Sequence, residues 1–158
     1  MPDIRILLDN IRSTHNVGSM FRTADTLGIS RIYCVGTTPA PVDRFGRARA
    51  DIAKVALGAE KTIPWELLTD ADTASLIQKL KKESFKIIAV EQDASSVDYK
   101  SVEVGDKALI IFGNEVHGVA KDLLKLADII AEIPMKGEKE SLNVSVAAGV
   151  VLFRMLDK

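Results

Sequence analysis

The chain has 158 residues, of which 47% are hydrophobic, and this composition excludes a disordered tail and favours a single domain over residues 1–158. A formal net charge of −1 excludes a generally basic surface, so any contact with a nucleic acid must come from a local patch. The single cysteine, Cys34, excludes an internal disulfide framework. Because no apolar run has membrane-spanning length and the N-terminus lacks a signal-peptide layout, we expect a cytoplasmic protein.

Apolar runs alternate with apolar residues at helical spacing, which predicts alternating strands and helices. In chain order, the sequence predicts a strand over residues 4–8, a helix over 17–27, a strand over 32–35, a loop over 36–49, helices over 52–57 and 72–82, strands over 87–90 and 109–112, a helix over 119–127, a strand over 129–133 and a last helix over 144–156. Asn16 and Gly28 are the predicted caps of the first helix. The alternation predicts an α/β fold, in which a parallel sheet has helices on both faces.

The last predicted helix follows Asn143, which is its expected N-cap, and residues 144–156 leave it little polar face. A helix that is apolar nearly all round must be covered on most sides. A second subunit can supply part of that cover, and a central position in the core explains the pattern equally well.

The first of three polar segments covers residues 10–22, where a strand ends and a helix begins. It holds Arg12, Asn16 and Arg22, and a helix N-terminus with positive charge beside it favours an anion such as phosphate. A capped surface helix with two solvated arginines explains the same residues.

The other two polar segments are residues 109–118 and 133–147. In the former, a buried strand runs into a turn where Glu115 is either a functional carboxylate or a cap of the following helix. In the latter, Ser141 and Asn143 are two polar caps at one helix N-terminus, which leaves one of them for a ligand. The sequence has no metal-ligand spacing, no P-loop pattern and no dinucleotide-binding glycine pattern, so we expect no metal.

Arg44, Arg47 and Arg49 form a short basic stretch in the predicted loop. Such a stretch is a candidate for contact with a nucleic-acid backbone. Asp43 and Asp51 dilute the charge, and a solvated loop is the alternative interpretation.

Taken in this order, the three polar segments resemble the three motifs of the SpoU/TrmH family within the SPOUT superfamily, and the resemblance runs from Asn10 to the last helix. It implies an RNA 2′-O-ribose methyltransferase that uses S-adenosylmethionine. It also implies a deep C-terminal trefoil knot, a rare exception among folds. Finally, it implies a homodimer in which each active site takes an arginine from the partner chain.

The functional residues of the SpoU/TrmH family carry over to positions of matching type or place in this sequence. The catalytic candidates are Arg22, Asn16, Glu115, Ser141 and Asn143. The cofactor-binding candidates are Val90, Glu91, Gln92, Phe112, Gly113, Ile133, Met135, Ser141, Leu142 and Asn143. The RNA-binding candidates are Arg12, Arg22, Arg44, Arg47 and Arg49.

We expect Arg22 to clamp a phosphate and to stabilise the developing alkoxide, because an arginine stays protonated far above neutral pH and is a poor base. Transfer RNA is the expected substrate, with ribosomal RNA as the second choice. A non-catalytic RNA-binding protein of the same fold, a base methyltransferase and a small-molecule enzyme remain as alternatives. No membrane partner is expected.

Overall fold

A computed structural model describes residues 1–157, which form a seven-stranded sheet flanked by helices. The strands are β1 (Asp3–Asp9), β2 (Arg31–Val35), β3 (Trp65–Leu68), β4 (Lys86–Val90), β5 (Val97–Asp98), β6 (Lys107–Phe112) and β7 (Ile129–Glu132). The helices are α1 (Thr14–Thr26), α2 (Ala50–Ala56), α3 (Ala59–Thr62), α4 (Asp70–Lys82), α5 (Lys121–Leu126) and α6 (Val144–Leu156), with a 3-10 turn at Tyr99–Ser101. All neighbouring strands are parallel, in the order β3-β2-β1-β6-β4-β7-β5, which confirms the predicted α/β fold.

Helices cover both faces of the sheet, as the sequence predicts. The side chains of β1 alternate, so that Ile6 and Leu8 lie on one face and Leu7 on the other. The first face packs against α1, α2, α3 and α6, and the second against α4 and α5. A fully buried leucine or isoleucine side chain contributes about 1.5–3 kcal/mol by leaving water, so both layers stabilise the sheet.

The carboxyl ends of four central strands lie in one row. Across the sheet, Leu8 of β1 pairs with Phe112 of β6, Phe112 with Val90 of β4, and Val90 with Ala131 of β7. The segments that leave these strands therefore start side by side at one edge. In open parallel sheets, this edge is where ligands bind.

Helix α1 begins earlier than predicted, and Asn16 is not its N-cap. Ser13 is the cap, because its Oγ accepts a hydrogen bond of 3.1 Å from the Asn16 N–H. Serine caps as well as asparagine does and comes three residues earlier, so the first turn forms there. Asn16 lies inside that turn with its side chain buried. At the other end the prediction is confirmed, because Gly28 has a φ of +68° just after the helix.

The sequence patterns do not predict α3, β3 or β5. These elements have two to four residues each, which is too short to show a periodicity. Strands β3 and β5 are also the two edge strands, so neither is covered by neighbours on both sides. The continuous apolar run that marks a central parallel strand is therefore not required there.

Helix α6 is a core helix on one side only. Its predicted cap is confirmed, because Asn143 Oδ1 accepts from the Ser145 N–H at 2.9 Å. The buried side consists of Ala148, Val151, Leu152 and Met155. The exposed apolar residues are Val146 at 52%, Val150 at 38% and Phe153 at 43%. Neither α6 nor any other helix within residues 1–157 is long and apolar enough to cross a membrane.

Candidate active site

A cavity of about 210 Å³ lies over the carboxyl ends of β4, β6 and β7. Most of the predicted cofactor-binding residues line it, namely Val90, Glu91, Gln92, Gly113, Ile133, Met135, Ser141 and Leu142. The other two lie outside the lining, because Phe112 is 1% exposed in the core and Asn143 caps α6. Sequence reasoning missed Val144 and Ala147, which also line the cavity. Their spacing of three residues on a helix was the available signal.

Asn16 joins the three predicted motifs beside this cavity. Its Nδ2 donates to Glu115 Oε1 at 3.2 Å, and its Oδ1 accepts from Asn143 Nδ2 at 3.2 Å. A carboxylate only accepts hydrogen bonds, so the amide orientation of Asn16 is fixed by Glu115, and that of Asn143 follows. Residues from three distant segments are thereby held in one chain of hydrogen bonds.

The carboxylate of Glu115 binds the N-terminus of α1 and not that of the helix after it. It accepts at 3.1 Å from the backbone N–H groups of both Arg12 and Ser13. Burial works to raise the pKa of Glu115, but bonds from backbone N–H groups and from Asn16 outweigh it and hold the pKa below its ordinary value. Glu115 is therefore an ionised acceptor at neutral pH.

Two further carboxylates hold the end of the β6 turn: Glu91, which was predicted only as a cofactor-binding residue, and Asp9, which sequence reasoning did not single out. Glu91 accepts from the Val119 N–H at 2.8 Å, and Asp9 accepts from the Ala120 N–H at 2.8 Å. Asp9 is only 2% exposed, and it directly follows the predicted strand over residues 4–8. An acidic residue directly after a buried strand was the available signal.

Asn114 also connects two motifs. Its Nδ2 donates to the carbonyl oxygen of Asn10 at 2.7 Å, and its Oδ1 accepts from the N–H of Val116 at 2.8 Å. The side-chain amide of Asn114 thus stabilises the turn after β6 and connects it to the residue after β1.

A sequence model described as the SpoU rRNA Methylase family matches residues 3–153. The chain belongs to this family. It is 34% identical over 151 residues to the 23S rRNA (guanosine-2′-O-)-methyltransferase RlmB of Neisseria meningitidis, which covers 96% of this chain and 57% of that relative. It is 32% identical over 152 residues to the tRNA (guanosine(18)-2′-O)-methyltransferase of Thermus thermophilus, which covers 96% of this chain and 73% of that relative.

Solved structures of SpoU-type proteins have the same architecture. The AdoMet-bound rRNA methyltransferase from Sinorhizobium meliloti superposes with a TM-score of 0.83 at 28% identity, over 97% of this chain and 55% of that one. The TrmH/SpoU tRNA modifying enzyme of A. aeolicus gives a TM-score of 0.84 at 25% identity, over 99% of this chain and 75% of that one. The chain spans little more than half the length of the RlmB relative and of the S. meliloti structure.

In this SpoU-family chain, Arg22 lies apart from the hydrogen-bonded chain of Glu115, Asn16 and Asn143. It follows Asn16 by six residues on α1, so it points about 120° away around the helix and lies about 9 Å further along. Its side chain is exposed, as is that of Arg12. Arg12 stands beside the site because its backbone N–H donates to Glu115.

The predicted RNA-binding arginines of the loop after β2 lie outside the cavity lining. Arg44 and Arg47 are exposed, whereas Arg49 is half-buried at the base of the loop. The Nε of Arg49 is buried and has no hydrogen-bond partner within residues 1–157. Of the three, Arg44 and Arg47 offer the more accessible positive charge.

Residues 1–157 contain no group of three or more His, Cys, Asp or Glu side chains that could hold a metal ion. Cys34 is fully buried in β2, and its burial raises the pKa of the thiol to about 12. A thiol in that state is a core side chain and not a nucleophile.

Proposed function

We propose that this SpoU-family chain is a methyltransferase domain that transfers a methyl group from S-adenosylmethionine to a ribose 2′-oxygen of RNA. The observation that carries the proposal is the hydrogen-bonded chain of Glu115, Asn16 and Asn143 beside the cavity. Family membership over residues 3–153 supports it, as do the activities of the N. meningitidis and T. thermophilus relatives, which are ribose 2′-O-methylations of guanosine.

The cavity suits S-adenosylmethionine by its chemistry. The apolar side chains of Ile133, Leu142 and Val144 can cover an adenine ring, and backbone groups at the ends of β4 and β7 can meet its polar edge. The carboxylates of Glu91 and Glu115 in the lining favour a positively charged sulfonium. The cofactor supplies an electrophilic methyl group bonded to sulfur.

The residues of the chain supply position and electrostatics. Asn16, Glu115 and Asn143 hold three segments in one geometry, which lowers the entropy cost of bringing the reactants together. Ser141, in the lining, is free to contact the substrate. Arg22 carries a permanent charge that holds a neighbouring phosphate and stabilises the oxyanion formed as the 2′-hydroxyl loses its proton to water.

A second copy of the chain completes the site in this proposal. Within one chain, Arg22 lies on a different side of α1 from Asn16, which favours a role for Arg22 in the site of a partner chain. Helix α1 packs against α6, which presents Val146, Val150 and Phe153 to solvent. An exposed apolar stripe of this kind favours association with a partner. A symmetric homodimer through α6 would bring Arg22 of one chain to the site of the other.

We further propose that the C-terminal part forms a deep trefoil knot. Strand β6 lies between β1 and β4, and the chain after β7 passes to the opposite face of the sheet from α5 before it enters α6. On this path Gln92 Nε2 donates to the Glu140 carbonyl oxygen at 2.6 Å, which ties residues 133–143 to the end of β4. A crystal structure in which the path of the chain contains no knot would contradict this proposal.

Transfer RNA is the proposed substrate, and ribosomal RNA is the second candidate. The chain spans a larger share of the T. thermophilus tRNA enzyme, 73%, than of the N. meningitidis rRNA enzyme, 57%. Arg12, Arg44, Arg47 and Arg49 are the proposed contacts to the RNA backbone. We propose the cytoplasm as the location of the reaction.

Transfer of tritium from labelled S-adenosylmethionine to undermodified total RNA tests the function, with the RNA resolved by size. Label in the transfer-RNA band is the expected result, and label in ribosomal RNA would keep the chemistry but replace the substrate. Asn16→Ala should lose the label, whereas Leu67→Ala, which removes an exposed side chain on edge strand β3, should keep it. Cofactor binding without label in any RNA would favour the non-catalytic RNA-binding alternative.

A further inference from the structure

An exposed aromatic ring stands at the tip of the loop that follows β2. Val42 and Ala48 form an antiparallel bridge, so residues 43–47 protrude as a short hairpin tip. Phe45, in the middle of this tip, is 66% exposed. Scattered exposed apolar residues are normal, but this ring is held in place by its neighbours.

The side chain of Asp43 stabilises the turn at the hairpin tip. Its Oδ1 accepts from the N–H of Phe45 at 2.8 Å and from the N–H of Arg47 at 3.0 Å. Its Oδ2 accepts from Arg47 Nε at 2.9 Å. Gly46 adopts a φ of +75°, which the turn requires and glycine permits. The pKa of Asp43 is lowered by these bonds, first by that from the Arg47 backbone, so the carboxylate holds the turn at neutral pH.

Two guanidinium groups lie against the ring of Phe45. The central carbon of Arg44 is 4.8 Å from the ring centroid, and that of Arg47 is 5.0 Å from it. Both distances are within the range of cation–π contact. The tip therefore presents one aromatic plane and two planar cations together, and both arginines are exposed to solvent.

We propose that Phe45, with Arg44 and Arg47, is a stacking platform for an unpaired base of the RNA, an inference that rests on the proposed function in taking RNA as the ligand. Bases that are not paired stack on aromatic rings and on arginine planes, and every base has such a face. The guanidinium N–H groups that are not bound to Asp43 can contact the phosphates beside the stacked base.

The platform selects single-stranded RNA over a duplex. Bases within an A-form duplex are stacked on each other, and their deep, narrow major groove does not admit side chains. A ring at a hairpin tip can reach only a base that is splayed out of a loop, a bulge or an end. The proposed substrate therefore carries an unpaired nucleotide near the one that is methylated.

The test is a binding measurement with the full chain and RNA probes of defined structure. The probes are a fluorescent single strand of about 12 nucleotides and a duplex of the same sequence. Affinities are measured by fluorescence anisotropy for the wild type, Phe45→Ala, Phe45→Leu and Phe45→Trp. Leu67→Ala, another exposed apolar truncation, is the matched control, and its 57% exposure is close to that of Phe45.

Phe45→Ala should weaken binding of the single strand about tenfold and leave binding of the duplex and the salt dependence unchanged, because stacking releases no counterions. Phe45→Trp should retain the affinity, and RNA should quench its emission beyond the change seen for the single native tryptophan, Trp65. Phe45→Leu should behave like Phe45→Ala, because leucine is apolar but not planar.

Three results would overturn the platform: unchanged single-strand binding by Phe45→Ala, full affinity in Phe45→Leu, or a change in oligomeric state caused by Phe45→Ala. The last would mean that the ring packs against a second copy. A failure of the stacking platform can be distinguished from a failure of the proposed methyltransferase activity. Methyl transfer to RNA with no effect of Phe45 would remove only the platform, and ring-dependent RNA binding without methyl transfer would remove only the enzyme activity.

Discussion

Asn16 connects the three segments of the candidate site through hydrogen bonds. Its side chain is buried, with the residue 5% exposed, and each end of its amide has a partner, one in Glu115 and one in Asn143. A buried polar group left without a partner costs about 1–3 kcal/mol, so removing Glu115 or Asn143 leaves one end of the buried Asn16 amide without its partner. The three segments are therefore joined before a ligand binds, as the proposed catalysis requires.

Arg22→Ala should lower kcat by about a hundredfold or more, because a preorganised charge at the developing oxyanion is lost. Arg22→Lys should recover part of the rate, since it keeps the charge but not the planar fork. The measurement is steady-state methyl transfer, with cofactor binding by calorimetry as the control for an intact cavity. Near-full activity of Arg22→Ala would mean that the arginine has another role.

Glu115→Gln should lower the melting temperature near pH 7 more than in acid. The pKa of Glu115 in the folded protein lies below its ordinary value of 4.5. The charged carboxylate therefore stabilises the fold at pH values above 4.5, and this stabilisation is lost as the pH falls through the folded pKa. Scanning calorimetry of both proteins at about pH 7 and about pH 3 measures the difference. A gap between the two melting temperatures that persists in acid would contradict the role of the charge.

At the scale of elements, α1 serves the core and the site with different sides. Phe21 is fully buried against the sheet, whereas Arg22, the next residue, is exposed. Helix α6 also contributes to both, because its N-cap Asn143 lies at the site and Val151 is buried in the core. The packing of α1 and α6 thus fixes how Asn16 and Asn143 meet.

Phe21→Ala should destabilise the fold by about 3–5 kcal/mol, because it leaves a cavity in the core. Phe45→Ala is the matched control, since the same truncation at an exposed tip should change stability by about 0.5 kcal/mol or less. Urea denaturation gives both free energies of unfolding. Similar values for the two variants would mean that Phe21 is not a core residue.

Elements with strong local signals could be predicted from the sequence. The cap and apolar pattern of α6 predicted its start correctly, and the apolar runs predicted β1, β2, β4, β6 and β7. The edge strands β3 and β5 carry no comparable signal, because a strand at an edge needs less burial. The N-cap of α1 was wrong because Ser13 and Asn16 are both good caps, and only the structure distinguishes them.

The sequence predicted residues of the candidate site but not the hydrogen bonds between them. The motifs supplied Asn16, Glu115 and Asn143, but no local rule predicts that Asn16 bonds residues 99 and 127 positions away. These contacts exist because parallel strands bring distant segments to one edge. For the same reason, no local pattern predicts that the buried carboxylate of Asp9 accepts from the N–H of Ala120.

In the proposed homodimer, two chains build each site. Arg22→Ala and Asn143→Ala should each be inactive alone and should regain activity when mixed and allowed to exchange. One of the two sites in a mixed dimer would then carry neither change, so about a quarter of all sites would be intact after random exchange. Methyl transfer by the mixture, with sedimentation to confirm the dimer, is the measurement. No recovery in a proven mixed dimer would put Arg22 in its own chain's site.

The proposed ribose methylation is tested by mass spectrometry of the nucleosides released from RNA after incubation with the protein and S-adenosylmethionine. We expect a nucleoside whose added methyl group fragments with the ribose, in amounts that fall sharply for Asn16→Ala. A methyl group that fragments with the base would contradict the claim that these three motifs form a ribose 2′-O-methylation site.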